Sequence, residues 1–299
     1  MTKYYSHGKL LLTGEYMVLR GAEALALPTS MGQILEFYPD ESKILNWESW
    51  DHNNQLWFSA SIEILDFSIS KTNDLDTAKR LVQILKVIRS QKNNFLREKG
   101  GTVRTQLEFD RLWGLGSSST LISNLAQWSQ TNPYTLLHSS FGGSGYDIAC
   151  ATSKSPLIYR KDSAGPHIEA CKFDPPFKSN LYFIYLNHKK NSREAIKQFK
   201  KQNITEEQIT YASSLTRAAF KASKLNEFEE TLNEHESFIS RSLGLATIKD
   251  ELFPDFPRTI KSLGAWGGDF ILATGGKDSL DYFKNKGFSV MMSYREIFL

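Results

Sequence analysis

The sequence has few cysteines, and this scarcity excludes several classes of protein. Cys150 and Cys171 are the two cysteines among 299 residues. Two thiols with no metal-ligand spacing predict neither a disulfide framework nor a structural zinc site. We therefore expect a protein of a reducing compartment, the cytoplasm.

The sequence also lacks a strong charge imbalance and a long apolar run. A net charge of +3 is too small to predict binding to nucleic acid or to an anionic membrane. No window offers the ~18 apolar residues of a membrane span. The run Leu10–Leu12 near the start is too short for a signal sequence, so we expect neither a membrane nor a secreted protein.

A substantial core is present, because 40% of the residues are hydrophobic and 12% are aromatic. Apolar and alternating runs predict strands, and apolar residues three and four apart predict helices. The pattern indicates an α+β protein whose two halves meet near residue 180. Strands are expected at 10–12, 24–27 (ended by Pro28), 33–38, 43–70 as hairpins, 102–109, 181–186, 270–273 and 289–292, and helices at 76–97, 121–128, 205–224 and 226–243.

One glycine-rich segment stands between a predicted strand and a predicted helix. It consists of Gly114, Leu115, Gly116, Ser117, Ser118 and Ser119. Glycines let consecutive N–H groups point inward, and a helix N-terminus adds positive potential, so the segment suits a phosphate group. It is not a Walker A loop, because no Gly-Lys-Ser/Thr follows at the required spacing. Taken alone, it is equally typical of a serine-rich helix cap.

Lys9 lies beside the first predicted strand, shortly before Gly14, Glu15 and Tyr16. A lysine there either reaches solvent or places a fixed cation beside a phosphoryl group. Two further glycine-rich segments end in an aspartate, Gly142–Asp147 and Gly264–Asp269. Each is by itself compatible with an ordinary turn.

Taken in order, these segments resemble three motifs of the GHMP kinases, a family that includes galactokinase, homoserine kinase, mevalonate kinase and phosphomevalonate kinase. The resemblance rests on Gly8–Tyr16, on the glycine-serine loop and on Gly264–Asp269, and it spans nearly the whole chain. The loop is its most specific part. The helix around Leu232–His235, which leads to Leu243–Leu245, is also similar.

Three details resemble the phosphomevalonate kinase branch. Tyr16 stands where mevalonate kinases usually have histidine, the run Gly143–Ala149 is similar to a Gly-Ser-Gly-Phe-Asp run of that branch, and Asp269 ends the last motif. The Gly-Tyr-Asp-Ile-Ala sequence also resembles a bacterial GHMP subgroup, whereas the short chain is closer to mevalonate kinases. Both acceptors, mevalonate and phosphomevalonate, therefore stay open.

The sequence departs from the family pattern at several places. His7 replaces a usual proline, and Trp266 stands where glycine is usual, which is expected to narrow the cleft. Tyr134–Leu137 contains no acid where mevalonate kinases carry a magnesium-binding glutamate. A second protein ligand for magnesium is therefore in doubt.

The resemblance implies a two-domain GHMP kinase fold. Residues 1–180 would form an ATP-binding domain like ribosomal protein S5, and residues 181–299 a ferredoxin-like domain. Asp147 would take the acceptor's proton, and Lys9 would keep Asp147 ionised and stabilise the transferring phosphoryl group. The loop residues 114–119 would bind ATP, with Ser118 as the ligand of Mg²⁺.

The acceptor site is expected from several segments. A basic loop before a probable helix suits an anionic acceptor, although a solvated loop explains it as well. The candidate acceptor ligands are Glu15, Tyr16, Ser144, Lys189, Ser192, Arg193, Gly267, Gly268 and Asp269. The expected partners are ATP and a small-molecule acceptor, with the chain a monomer or homodimer.

Two rival functions share this fold. A decarboxylase of diphosphomevalonate is one, but those enzymes lack the Gly8-Lys9 pair of the first motif. A degraded GHMP protein that binds a metabolite without turnover is the other, and Trp266 and the missing acid are compatible with it.

Overall fold

The chain is described here from a computed structural model. The described residues are 1–187, 197, 199–264, 266 and 269–298. They form two compact units that interleave along the sequence. Unit 1 comprises Met1–Gly8, Met31–Arg111 and Leu115–Thr152, and unit 2 comprises Lys9–Ser30, Leu112–Gly114 and Ser153–Leu299. The sequence predicted one domain boundary, at residue 180, and that boundary stays a prediction.

Two long strands supply residues to both units. They are β1 (Thr2–Leu11) and β2 (Ala24–Pro39). The sequence predicted two strands separated at Pro28, and that prediction was wrong, because β2 runs through Pro28 without a break. The proline lies after Ala26, the last residue paired with one neighbouring strand, and before Gln33, the first paired with another. Neither of these two neighbours pairs with β2 at Pro28, so neither loses a hydrogen bond to the missing N–H.

Unit 1 is built on a mostly antiparallel sheet. Its further strands are β3 (Ile44–Trp50), β4 (Leu56–Glu63), β5 (Ile69–Thr72) and β6 (Gly101–Leu107). The strand order is β5-β4-β3-β6-β2, and the β3–β6 pair alone among these is parallel. Alternating burial along β4 and β6 confirms the predicted hairpin and strand patterns, since one face of each strand is buried.

Four helices belong to unit 1. They are α1 (Leu75–Gln91), α2 (Ser117–Ser129), α3 (Pro133–Ser140) and α4 (Tyr146–Thr152). Asp74 and Asn132 cap α1 and α3 by accepting two backbone N–H groups each. The apolar face of α1 packs with the sheet in one core, which includes Trp47, Phe58 and Ile122. α2 contacts both α3 and α4, so the start of α2 and the start of α4 belong to the same unit.

Unit 2 contains the remaining strands. β7 (Leu157–Asp162) pairs with β8 (Gly165–Ala170) and with the first residues of β2. A four-stranded antiparallel sheet follows, in the order β10-β11-β9-β12. Its strands are β9 (Leu181–Tyr185), β10 (Ile260–Ser262), β11 (Phe270–Thr274) and β12 (Met291–Ser293). β9 and β11 are buried along their whole length, as their continuous apolar runs predict.

Among its described residues, unit 2 has the α-helices α5 (Glu206–Lys221), α6 (Leu225–Leu243), α7 (Ile248–Leu252), α8 (Asp278–Asn285) and α9 (Tyr294–Ile297). α5 and α6 pack against each other, and their predicted positions are confirmed to within a few residues. The predicted α+β class is thereby confirmed. Within the described part of the chain, no helix is both long and apolar enough to cross a bilayer.

Candidate active site

The glycine-serine loop has the backbone of an anion site. Gly114 and Gly116 both adopt the left-handed conformation, with φ of +67° and +93°, which glycine reaches without steric strain. Gly116 is the residue before α2, and its carbonyl accepts the N–H of Thr120 at 2.9 Å. The first N–H groups of α2 therefore point out of the helix end, and Gly116 has no side chain to cap them. An anion is the natural partner for such a helix end.

The hydroxyl groups of this turn are differently oriented. Ser119 is buried and donates to the carbonyl of Gly116 at 2.8 Å, and Thr120 donates to Oε1 of Gln33 at 2.8 Å. Ser117 is half-buried and Ser118 is exposed. The structure thus leaves the Ser118 hydroxyl accessible at the helix start. Leu115 is fully buried and anchors the loop.

In unit 2, residues from three sequence motifs meet at Gly114. The ammonium group of Lys9 donates to the Gly114 carbonyl at 2.9 Å. On the other side, a Cβ added at Gly114 would collide with the carboxylate of Asp269. Lys9, Gly114 and Asp269 are separated by more than a hundred residues along the chain. The structure therefore brings residues of the three motifs together at Gly114, and their shared role in one site stays a prediction.

Asp147 is the second residue of α4, in unit 1 with the serines of the loop. It is half-buried, and its Oδ1 accepts the N–H of Ile148 at 3.1 Å. Burial, and next the negative charge of Asp147, raise the pKa of Tyr134 to about 12. Tyr134 therefore lies in the field of Asp147, in the region where the sequence lacks an acid. Ser144, which is predicted to bind the acceptor, is buried between glycines of positive φ.

Glu15 and Tyr16 lie in the interior of unit 2. Oε1 of Glu15 accepts a hydrogen bond from Nζ of Lys261 at 2.7 Å. The same ammonium group contacts Oε2 of Glu236 at 3.3 Å and the carbonyl of Ser262 at 2.8 Å. One residue before Glu15, the N–H of Gly14 donates to Nε2 of His235 at 2.9 Å. The turn after β1 is thereby bound to α6 and β10.

These buried groups have displaced pKa values. Burial raises the pKa of Glu15 to about 7 although Lys261 opposes the rise, and burial likewise raises the pKa of Glu236. Burial, and then the charge of Lys261, hold the pKa of His235 well below its usual range. His235 is therefore neutral, and its Nε2 is the acceptor for Gly14. The 3.7 Å approach of Glu15 Oε2 to that nitrogen is consequently not an ion pair.

Other predicted site residues have different outcomes. Lys189, Ser192, Arg193, Gly267 and Gly268 lie outside the described residues, so their roles stay predictions. Trp266 is described, and its indole is buried in an apolar cluster with Tyr16 and Phe199, where its N–H donates to the carbonyl of Ala246 at 3.2 Å. In unit 2 this side chain fills core space.

Sequence reasoning missed Lys261 and Glu236. The sequence around Lys261 contains no long apolar run, so it carries no signal that this lysine is buried, although lysine is rarely fully buried without a partner. The sequence gives no indication that its partners lie on the turn after β1 and on α6.

The described residues contain no cluster of acids that could hold a metal ion by itself. No group of three His, Cys, Asp or Glu side chains suited to a metal ion occurs among the described residues. Mg²⁺ in nucleotide sites is held largely by phosphate oxygens and water, with few protein ligands. Ser118, which is exposed at the uncapped start of α2, fits that kind of site.

Comparison with known proteins identifies the fold. No protein-family model matches the sequence, and a comparison with curated proteins finds no significant match. Solved structures do match over nearly the whole chain, and several of them are GHMP kinases. The chain therefore has the two-domain α+β fold of the GHMP kinases, as the sequence motifs predicted.

Three of the similar structures have different acceptors in their names. A mevalonate kinase is 15% identical, covers 98% of both chains and superposes with a TM-score of 0.71. The Streptococcus pneumoniae phosphomevalonate kinase, in complex with phosphomevalonate and AMPPNP, is 16% identical over 98% of this chain and 100% of its own, with a TM-score of 0.69. A D-glycero-D-manno-heptose 1-phosphate kinase from Bacteroides thetaiotaomicron is 13% identical over 97% and 94%, with a TM-score of 0.69. The superpositions establish the fold, but sequence identities this low leave the acceptor undetermined.

Proposed function

We propose that this protein is an ATP-dependent kinase that phosphorylates a small-molecule acceptor. The observation that carries the proposal is the open N-terminus of α2, where Gly116 leaves the first N–H groups uncapped and Ser118 offers an exposed hydroxyl. This anion site stands on a fold shared with several small-molecule kinases. The contact of Lys9 with Gly114 adds a fixed positive charge at the same loop.

The proposed reaction needs positioning and charge neutralisation more than covalent help. The bond between the γ-phosphorus and the bridging oxygen of ATP breaks, and a bond to the acceptor oxygen forms. Asp147 takes the acceptor's proton, while Lys9 and the N–H groups of Leu115–Ser119 balance the charge of the phosphates. Ser118 would hold Mg²⁺, which supplies charge neutralisation when it is bound.

For the acceptor, we propose phosphomevalonate or mevalonate, which would place the enzyme in isoprenoid precursor synthesis. The motif details at Tyr16, Gly143–Ala149 and Asp269 support this branch. So does the fold likeness to the phosphomevalonate kinase that binds phosphomevalonate and AMPPNP. Asp269 gains support as a site residue from its contact with the loop at Gly114.

An acceptor screen tests the proposal. The purified protein is incubated with ATP and Mg²⁺ and with mevalonate, phosphomevalonate, galactose, homoserine or a heptose phosphate. ADP and phosphorylated mevalonate or phosphomevalonate are the expected products. Release of carbon dioxide from diphosphomevalonate would instead identify a decarboxylase, and nucleotide binding without any turnover would identify a metabolite-binding protein.

A further inference from the structure

A cluster of buried charged side chains lies in unit 2. It consists of Glu15, Glu236 and Lys261 and is called the buried charge network below. Lys261 bridges the two carboxylates, and Glu236 also accepts the N–H and the hydroxyl of Ser262 at 3.0 and 2.6 Å. The network joins the turn after β1 to α6 and β10.

The network is closed to solvent. Lys261 is 0%, Glu15 1% and Glu236 3% exposed. Oε1 of Glu15 faces Lys261, whose Nζ is covered on another side by the Trp266 ring at 6.0 Å from its centroid. A carboxylate in this position is engaged within the protein, whereas an acceptor ligand needs to face the substrate.

Burying three charged groups is an expensive way to fill a core. Desolvation offsets much of the attraction between buried ions, and apolar side chains of similar volume often stabilise a fold as well or better. Stability alone therefore does not account for the network. The better explanation is that the network specifies one arrangement of the chain. A carboxylate that moved from its position would lose its ion pair with Lys261.

The segment that the network holds is strained. Tyr16 has φ of +59°, which is unfavourable for a bulky residue, and Gly14 has φ of +86° with Ala24 so close that a Cβ would lie 2.7 Å from it. Such a turn persists only when its surroundings determine it. His235 holds the N–H of Gly14, and Lys261 holds the side chain of Glu15.

The same turn follows directly on β1, which carries Lys9. Resting on the proposed kinase function, we propose that the buried charge network is a positioning device, which fixes the Gly14–Tyr16 turn and thereby the register of Lys9 at the phosphate loop. Glu15 is then a positioning residue and not an acceptor ligand. This is a different role from the one that the sequence motif predicts for it.

Steady-state kinetics of Glu15→Gln separates the two roles. As a positioning residue, Glu15→Gln leaves the acceptor KM within about twofold, lowers kcat and changes the pH profile of kcat between pH 6 and 8. Glu236→Gln is expected to act in the same way, and Glu230→Gln, on the exposed side of α6, serves as the matched control. A tenfold or larger rise in acceptor KM for Glu15→Gln, with kcat and its pH profile unchanged, would overturn the inference and leave the kinase proposal intact.

A second measurement does not depend on activity. Lys261→Met leaves two buried carboxylates without a counter-ion and is expected to unfold at lower urea concentration than the wild type. The double variant Glu15→Gln/Lys261→Met should recover part of that loss, because one carboxylate is removed with the lysine. In this double variant, amide hydrogen exchange over residues 12–18 should accelerate while exchange in β9 stays slow.

The two proposals fail separately. Unchanged exchange over residues 12–18 in the double variant, or additive effects of the two substitutions on the urea midpoint, would refute the positioning role whatever the enzyme phosphorylates. If the wild type turns over no acceptor, the kinase proposal fails, and the exchange and urea measurements still decide whether the network fixes the turn.

Discussion

At the scale of the single residue, two independent constraints require glycine at position 114. Its φ of +67° favours glycine, and the Asp269 carboxylate occupies the space of a side chain. A sequence motif indicates that glycine belongs here, but it does not say why. The structure gives the reason: the Gly114 carbonyl accepts a hydrogen bond from Lys9, and the Asp269 carboxylate stands where a Cβ would be.

Gly114→Ala is therefore expected to weaken nucleotide binding strongly. The left-handed conformation costs an alanine about 1–2 kcal/mol, and the methyl group also displaces Asp269. Binding of an ATP analogue measured by calorimetry should fall by tenfold or more.

Gly276→Ala is the matched control for that substitution. Gly276 has ordinary φ, and no atom lies within 4 Å of an added Cβ. An affinity for the ATP analogue that is equal in Gly114→Ala and Gly276→Ala would contradict the crowding at Gly114.

Asp147→Asn and Lys9→Met are expected to lose most turnover while the affinity for ATP changes little. In the proposed mechanism, asparagine at position 147 cannot take the acceptor's proton, and methionine at position 9 lacks the charge proposed to stabilise the transferring phosphoryl group. A drop of at least a hundredfold in kcat is expected in an ADP-release assay.

Exposed residues of the same type provide the controls for these two substitutions. Asp76→Asn and Lys79→Met change surface positions of α1 in unit 1. Wild-type turnover in both active-site variants would reject the assignment of Asp147 and Lys9.

Helix ends show what matters at the scale of the element. α5 begins with a capping box, in which the Thr205 hydroxyl accepts the N–H of Gln208 and the Gln208 side chain accepts the N–H of Thr205. α2 has the opposite design, since a glycine precedes it and leaves its N–H groups uncapped. A capped helix end stabilises the fold, whereas an uncapped one remains available for an anion.

Thr205→Ala is expected to lower the free energy of unfolding by about 1 kcal/mol, because the N-cap oxygen is lost. Urea denaturation measures the change. Thr205→Ser retains the hydroxyl and should stay within about 0.5 kcal/mol of the wild type. Equal losses in the two variants would mean that the cap contributes nothing.

At the scale of the whole molecule, the buried charge network links stability to pH. Burial raises the pKa of Glu15 from 4.5 to about 7, so the folded protein retains a proton that the unfolded chain has released. The stabilisation of the folded state by this retained proton is fully present below pH 4.5 and is lost as pH rises through 7. His235 has the opposite effect on stability. Folding lowers its pKa below the ordinary value of 6.5 and keeps it neutral, so the folded state loses stability as pH falls below 6.5.

Glu15→Gln should therefore gain stability relative to the wild type as pH rises from 5 to 8. Glutamine resembles the protonated carboxyl and has no proton to lose. The rise of the Glu15 pKa from 4.5 to about 7 sets an upper bound of roughly 3 kcal/mol on the relative gain in the free energy of unfolding. Urea denaturation at pH 5, 6.5 and 8 measures the trend, and Glu230→Gln should show none. A difference between Glu15→Gln and wild type that stays constant over this range would contradict the raised pKa.

Much of the fold could be predicted because its signals are local. Apolar periodicity located α1, α5 and α6, and the glycine-serine loop marked the start of α2. Local patterns were less informative where pairing partners decide the outcome. β2 continues through Pro28 because of its neighbouring strands, and the short helix α9 was missed because four residues carry no periodic signal.

The sequence by itself determined the chemistry available to this protein: glycines that permit left-handed backbone, serines at a helix start, and Lys9, Asp147 and Asp269 in separate motifs. The tertiary structure decided which of these groups meet. Lys9 reaches Gly114, which lies against Asp269, while Glu15 turns inward to Lys261, 246 residues away along the chain. The physical reason is that backbone preference acts over a few residues, whereas the environment of a charge is set by whatever segments folding packs around it.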